Sequence, residues 1–307
     1  MADVIATIWD FDKTLIPNYM QEPIFKHYKF DGAQFWAENR KEIQALRDQG
    51  LDVNEDSFYL NRFLEFSKKG GMFEGLNNDL LVRFGKEIEF YEGAVDLFTA
   101  VNKLNDEPQY RDAGITFENY IVSTGLKRMI IGSDIFPHVK HVWGAELVDV
   151  EENGLRHLGK IAYSLDNTSK TKAIFEINKG VGVVEGASID VNSKIPESER
   201  RVRFRNMVYV ADGPSDVPAF SLINEKGGAT LAVYPKGSNE AFVQVDKLRR
   251  DDRVQMIAEA DYREDSTAVL WIMRRWRNAL KRLSKKKIEF ISSRPARLAI
   301  SDDFLCE

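Results

Sequence analysis

The sequence predicts an α/β protein with a doubly wound, mostly parallel sheet, and three observations support this fold class. Short apolar segments are predicted to be buried strands, at residues 4–9, 119–122, 207–211 and 229–234. Segments with apolar residues at helical spacing lie between these strands. Each predicted strand also ends in a polar loop, which is typical of a sheet that binds its ligand beyond the carboxyl ends of its strands.

Composition sets the broad class of the protein. The chain has 307 residues, of which 43% are hydrophobic and 30% charged, which suits one large or two modest domains. Its net charge of -5 gives no general reason to expect nucleic-acid binding. The single cysteine, Cys306, allows no internal disulfide and suits a reducing cytosol. We see no secretory signal and no window of ~18 apolar residues that would span a membrane. The sequence therefore predicts a cytoplasmic protein.

The first predicted strand is followed by two carboxylates. Asp10 and Asp12 come directly after the strand, with one residue between them. Because side chains alternate along a strand, both carboxylates start from the same face. Two acids leaving a buried strand together need a cation or a phosphoryl group nearby, and Mg²⁺ prefers such oxygen ligands. The simpler interpretation of an isolated Asp-x-Asp is a turn with one solvated carboxylate.

Residues 17–90 are predicted to form a helical insertion after the first strand. Apolar residues recur at helical spacing, and glycines end the segments. The predicted helices are at 22–30, 33–49, 57–69 and 77–90. We predict that the many aromatic side chains form the core of the insertion rather than a ligand cage.

Three further polar clusters follow later elements of the predicted sheet. They are Ser123 and Thr124 after the strand at 119–122, Lys170 at the start of a helix at 170–178, and Asp212 and Asp216 after the strand at 207–211. Residues 141–147 and 148–164 are predicted to form another strand and a hairpin. Each cluster also has a simpler structural interpretation. A serine can cap a helix, an isolated lysine is usually a surface charge, and Asp-Gly-Pro is a common turn.

Taken in order, these clusters resemble the four motifs of the haloacid dehalogenase (HAD) superfamily. The matching segments are Asp10-Phe11-Asp12-Lys13-Thr14-Leu15, Ile121-Val122-Ser123-Thr124-Gly125, Ser169-Lys170-Thr171-Lys172-Ala173-Ile174 and Asp212-Gly213-Pro214-Ser215-Asp216. The likeness covers about residues 5–235 and is greatest to the phosphatase branch with a helical cap after the first motif, as in phosphoserine phosphatases. The first and fourth motifs are specific. The second and third are single residues in context, and they support the resemblance because they occur in the expected order.

The resemblance implies a role for each of these residues. Asp10 would be the nucleophile that carries an aspartyl-phosphate, and Asp12 would be the general acid and base. Mg²⁺ would be bound by the Asp10 carboxylate, the Asp12 backbone carbonyl and Asp212, with Asp216 supporting its water shell. The phosphate would be bound by Thr14, Ser123, Thr124 and Lys170. Lys172 remains an alternative to Lys170.

The expected function is Mg²⁺-dependent hydrolysis of a small phosphorylated metabolite. The dehalogenases of the superfamily lack an acid at the position of Asp12, so this residue favours phosphoryl chemistry. Phosphoserine is one candidate substrate. Phosphotransferase or phosphomutase activity at the same site is an alternative. In the insertion, the charged residues that are candidates to contact substrate are Glu22, Lys26, His27, Arg40 and Arg62.

We predict three domains: a HAD-like core at 1–16 and 91–250, a helical cap at 17–90 and a helical, basic C-terminal tail at 251–307. An apolar stripe with Trp276 at its centre runs along the predicted tail helix, and arginines and lysines crowd its other faces. The favoured interpretation is a helix docked on the sheet with a solvated basic face. Contact of residues 269–297 with nucleic acid or an anionic membrane surface is the alternative, and would make this a binding protein.

Overall fold

The computed structural model describes residues 3–183 and 189–284. Within them, one sheet is built from β1 (Asp3–Trp9), β2 (Ile115–Leu126), β3 (His141–Glu152), β4 (Leu155–Tyr163), β5 (Met207–Ala211), β6 (Ala229–Tyr234) and β7 (Met256–Glu259). The order across the sheet is β4–β3–β2–β1–β5–β6–β7. Every neighbouring pair is parallel except β3 and β4, which form an antiparallel hairpin. This confirms the predicted mostly parallel sheet.

Helices cover both faces of the sheet and fill the insertion. The insertion contains α1 (Glu22–His27), α2 (Gly32–Asp48), α3 (Glu55–Phe66) and α4 (Asn78–Gly85). The other described helices are α5 (Ala94–Leu104), α6 (Pro108–Asp112), α7 (Lys127–Gly132), α8 (Ser169–Lys179), α9 (Val217–Glu225), α10 (Asn239–Arg250) and α11 (Thr267–Ser284). Asp31, Asn54 and Asn77 cap α2, α3 and α4, because each side chain accepts a hydrogen bond from a first-turn amide.

Strand β1 lies at the centre of the sheet and is buried on both faces. Ile5 and Trp9 pack into the larger apolar cluster, with α5 and α11. Ala6 and Ile8 pack into the smaller one, with α8, α9 and α10. This alternation follows from the two-residue period of a strand, and the apolar content on both faces is what a central parallel strand requires.

The inserted helices form their own aromatic core and rest on the hairpin. Phe35, Phe63 and Phe73 are fully buried, and the rings of Phe63 and Phe73 lie 5.2 Å apart between centroids. This confirms the prediction that the aromatic side chains build the core of the insertion. The Ser67 hydroxyl in turn donates to the Leu158 carbonyl of β4 at 3.0 Å, which ties the end of α3 to the hairpin.

Helix α11 is docked on the sheet through its apolar stripe. Trp276 is buried, and its indole N–H donates to the Thr7 hydroxyl of β1 at 3.0 Å. Residues 256–259, which the sequence assigned to a helical tail, instead add β7 to the edge of the sheet. The four residues of β7 include only two strong apolar side chains, which is too little for a strand signal. The predicted basic residues 285–297 lie outside the described residues. Within the described part, no helix is both long and apolar enough to cross a bilayer.

Candidate active site

The site begins where β1 ends, between β2 and β5. Trp9, the last residue of β1, pairs with Ile121 of β2 and Val210 of β5. The pairing extends by one more residue, because the Asp10 amide donates to the Val210 carbonyl at 2.9 Å. The chain then turns away from the sheet, with the Leu15 amide bonded to the Phe11 carbonyl. Asp10 is therefore held at the carboxyl end of the sheet and is only 6% exposed.

Lys170 joins two carboxylates that come from different elements. It lies in the first turn of α8, and its ammonium nitrogen is 2.8 Å from Asp10 Oδ1 and 2.8 Å from Asp216 Oδ1. Asp216 also accepts a hydrogen bond from the Tyr209 hydroxyl at 2.6 Å. All four side chains are buried. Lys172, by contrast, is half exposed and pairs with Glu176 on the surface of α8 at 3.6 Å.

Asp212 completes a group of three acids. It follows β5 directly, and one carboxylate oxygen each from Asp10, Asp212 and Asp216 lie within 4.8 Å of one another. Burial and the charge of Asp10 raise the pKa of Asp212 to about 7. Burial likewise raises the pKa of Asp10 to about 6, although Lys170 opposes the shift. One ammonium group is too little charge for three close carboxylates, so the site favours an additional cation.

Asp12 lies beside these three acids, but its carboxylate is hydrogen-bonded to the start of the insertion. Its Oδ1 accepts a hydrogen bond from the Met20 amide at 2.8 Å, which links it to the start of the insertion. Burial, and next the charge of Asp10, raise the pKa of the Asp12 carboxyl to about 8. The Asp12 carboxylate is not one of the three that could share an ion among the described residues.

The hydroxyl side chains lie near the same edge of the sheet. Thr14 is fully buried and its hydroxyl donates to Asp10 Oδ2 at 3.3 Å. Ser123 is at the carboxyl end of β2, next to β1, and its buried hydroxyl accepts from the Gly125 amide at 3.0 Å. Thr124 lies one residue further and is partly exposed toward the insertion. The structure thus brings all the predicted site residues to the carboxyl ends of β1, β2 and β5 and to the start of α8.

Two residues of the insertion that the sequence did not indicate face this site. The Tyr59 hydroxyl donates to the Thr124 carbonyl at 2.9 Å. Asp56, one turn earlier on α3, lies beside the Thr124 hydroxyl and within electrostatic reach of Lys170. Burial raises the pKa of the Asp56 carboxyl. No sequence signal distinguishes Asp56 from the neighbouring Glu55, because both read as acids at the start of a helix.

The charged residues that the sequence singled out in the insertion lie elsewhere. Arg62 is bound to Glu42 at 2.6 Å and also approaches Glu38, and Arg40 and His27 are exposed. Glu22 and Lys26 line a cleft beside the chain that connects β1 to α1. This cleft has a volume of about 430 Å³, which is within the range of small-molecule sites.

The donor set fits a divalent cation of the hard type. Asp10, Asp212 and Asp216 supply only oxygen, which Mg²⁺ prefers over nitrogen or sulfur. Burial and mutual repulsion raise the pKa values of Asp10 and Asp212, and a bound cation would relieve both effects.

Comparison with known proteins places the chain in a family. No family model matches it. An uncharacterised protein of Borreliella burgdorferi is 34% identical over 288 residues, which cover 88% of this chain and 96% of that protein. The two proteins belong to one family.

Comparison with solved structures identifies the fold of this family. A HAD family hydrolase from Salmonella enterica serovar Typhi superposes with a TM-score of 0.50 at 12% identity, over 83% of this chain and 67% of that one. A phosphoserine phosphatase in its apo form gives a TM-score of 0.49 at 16% identity, over 85% of this chain and 97% of that one. Together with the strand order and the four motif segments, the first comparison shows a HAD fold.

Proposed function

We propose that this protein is a Mg²⁺-dependent phosphomonoesterase that acts through an aspartyl-phosphate. The observation that carries the proposal is the placement of Lys170 between Asp10 and Asp216, with Asp212, which follows β5, beside them. This arrangement combines a buried nucleophile with positive charge for the oxygens of a phosphoryl group.

In the proposed reaction, Asp10 forms and then loses the covalent bond to phosphorus. Its carboxylate attacks the phosphorus atom, and the bond to the alcohol oxygen of the substrate breaks. The pKa of Asp10 near 6 leaves it ionised at neutral pH, as a nucleophile requires. Lys170 and the Thr14 hydroxyl hold the two oxygens of this carboxylate, which fixes its direction. Bound Mg²⁺ would offset the repulsion between the carboxylate and the phosphate dianion.

Asp12 is the proposed proton donor and acceptor. Because its pKa is raised to about 8, the carboxyl carries a proton at neutral pH and can give it to the leaving alcohol oxygen. The resulting carboxylate then takes a proton from the water that attacks the aspartyl-phosphate, so phosphate leaves and Asp10 is regenerated. The Met20 amide holds Asp12 in place between the two steps.

We propose a small phosphorylated metabolite as the substrate. Helix α3 of the cap meets Thr124 through Asp56 and Tyr59, and a cap held beside the site favours a small substrate over a macromolecule. Ser123, Thr124 and Lys170 are the proposed phosphate ligands. Asp10, Asp212, Asp216 and the Asp12 carbonyl are the proposed groups around the metal.

The test is hydrolysis of p-nitrophenyl phosphate by the wild type and by Asp10→Asn, with Mg²⁺ and with EDTA. We expect the wild type to be active only with Mg²⁺, and Asp10→Asn to lose at least about three orders of magnitude in kcat. Lys172→Gln, which changes a surface charge on α8, is the matched control and should retain full activity. Activity in a correctly folded Asp10→Asn protein would refute the mechanism.

The same assay distinguishes hydrolysis from phosphotransfer. Small alcohols such as glycerol are added as acceptors, and free phosphate and nitrophenol are measured together. Equal amounts of the two products at every alcohol concentration are expected of a hydrolase. A phosphate deficit that grows with the alcohol would instead identify a phosphotransferase.

A further inference from the structure

A second charged cleft lies at the opposite end of the sheet from the acidic site. It is bounded by the amino ends of β5 and β6 and by α11, and about 50 Å³ of it is accessible to water-sized molecules, which is room for a small ligand only. Ile5 of β1 lies in its wall, five residues before Asp10, so the two sites are about 16 Å apart along β1. A ligand in this cleft would therefore not compete with one at the acidic site.

Three arginines surround this cleft. Arg275 and Arg282 come from α11, and Arg205 precedes β5. Across residues 3–183 and 189–284, no carboxylate forms an ion pair with any of them. Burial, and next the charges of Arg205 and Arg275, lower the pKa of Arg282. The cleft thus concentrates positive charge that the described protein does not neutralise.

One buried N–H donor in the same cleft has no acceptor among the described residues. Arg275 Nε is buried without a hydrogen-bond partner in the described structure, although its guanidinium stacks 4.5 Å from the ring of Trp271. The Arg282 guanidinium donates to the Arg205 carbonyl, which holds two of the arginines together. A buried N–H donor without an acceptor is unfavourable unless a ligand supplies one.

We propose that this cleft binds a phosphate group, either as a free phosphate-type anion or as a lipid headgroup. A guanidinium presents paired N–H donors that match phosphate oxygens, and three of them can surround a single phosphate. The apolar stripe of α11 is buried against the sheet, so the helix cannot insert that stripe into a membrane. The net charge of -5 also disfavours an extended polyanion such as nucleic acid.

The test is calorimetric titration of the full-length protein with inorganic phosphate at constant ionic strength. EDTA is present, so that the acidic site carries no cation and repels the anion. The pocket variant is Arg205→Gln/Arg282→Gln. The matched control is Lys68→Gln/Lys69→Gln, which removes the same charge from exposed positions in the insertion, away from the cleft. We expect the pocket variant to weaken phosphate binding by at least about tenfold and the control to leave it unchanged.

A second arm tests lipid as the source of the phosphate group. Co-sedimentation with phosphatidylglycerol vesicles is measured for the same three proteins. Loss of vesicle binding in the pocket variant alone would support the cleft as a headgroup site. The proposal would be overturned if the pocket variant bound phosphate as tightly as the wild type and if both variants bound vesicles equally.

Discussion

Lys170 is the residue on which the charge balance of the acidic site depends. Although burial disfavours its ammonium form, the carboxylates of Asp10 and Asp216 raise its pKa above the ordinary value. The sequence offered Lys170 and Lys172 as alternatives. Their different burial follows from helix geometry, because residues two apart on a helix point about 200° away from each other.

Lys170→Gln is expected to destabilise the protein by about 3–5 kcal/mol, because it removes the ammonium group that pairs with two buried carboxylates and leaves them only neutral hydrogen-bond donors. Lys172→Gln is expected to cost less than about 1 kcal/mol, since it removes a half-exposed pair. Urea unfolding of both variants measures the difference. Similar free energies of unfolding for the two variants would contradict the assignment of Lys170 as the buried partner.

Asp12→Asn tests the proposed proton transfers one at a time. Nitrophenolate is a good leaving group and needs little help from an acid, whereas the attacking water needs a base. We therefore expect a burst of nitrophenolate close to one equivalent of enzyme, followed by turnover slowed by about 10²–10⁴-fold. Stopped-flow absorbance measures both phases. Unchanged steady-state turnover would remove Asp12 from the reaction.

At the scale of elements, helix α3 carries the two cap residues that lie at Thr124, beside the acidic site. Its first turn carries Asp56 and its second carries Tyr59, and both lie at Thr124. Asn54 fixes where the helix starts by capping it, and this determines which of its residues point toward the site. The sequence predicts where a residue lies along a cap helix. It does not predict which residues of that helix come close to the core.

Asp56→Asn is expected to lower the KM for p-nitrophenyl phosphate several-fold, because it removes a negative charge near the phosphate site. Glu55→Gln is the matched control, since Glu55 is exposed and pairs with Arg47. An equal KM in the two variants would mean that Asp56 does not face the bound substrate.

At the scale of the whole molecule, the buried acids couple stability to pH and to metal. The pKa values of Asp10, Asp12 and Asp212 are raised to about 6, 8 and 7, so each carboxyl stabilises the metal-free fold when protonated. This contribution is complete below the unfolded pKa near 3.8 and is lost as pH rises toward 8. Each pKa unit corresponds to about 1.4 kcal/mol before coupling between the sites.

We therefore expect the Tm of the metal-free protein to fall by several degrees between pH 5.5 and pH 8. Mg²⁺ should raise the Tm more at pH 8 than at pH 5.5, because metal binding requires deprotonated ligands. Asp212→Asn should flatten both responses, whereas Asp52→Asn on the exposed cap surface should keep them. Differential scanning calorimetry of the wild type and the two variants, at both pH values and with and without Mg²⁺, measures these responses. A wild-type pH profile and Mg²⁺ response in Asp212→Asn would contradict a metal site at this position.

Much of the fold and of the site follows from local sequence patterns. The bounds of β5 and β6 agree with the predicted strands, because both are continuous apolar segments that end in polar loops. The motif residues meet at one edge because parallel strands end there. Local patterns do not reveal β7, which is four residues long, nor Asp56, whose position depends on tertiary packing. Local patterns also do not reveal the cleft of three arginines, because Arg205 is far from α11 in the sequence.

The most direct test of the account is a crystal structure of the protein grown with Mg²⁺ and beryllium fluoride, a mimic of a transferred phosphoryl group. If Asp10 is the nucleophile, we expect a BeF₃ group bonded to a carboxylate oxygen of Asp10. Lys170 and Ser123 should contact its fluorine atoms, and a cation should lie between Asp10 and Asp212. A fluoride complex bound to another residue, or a cation that does not contact Asp10, would contradict it.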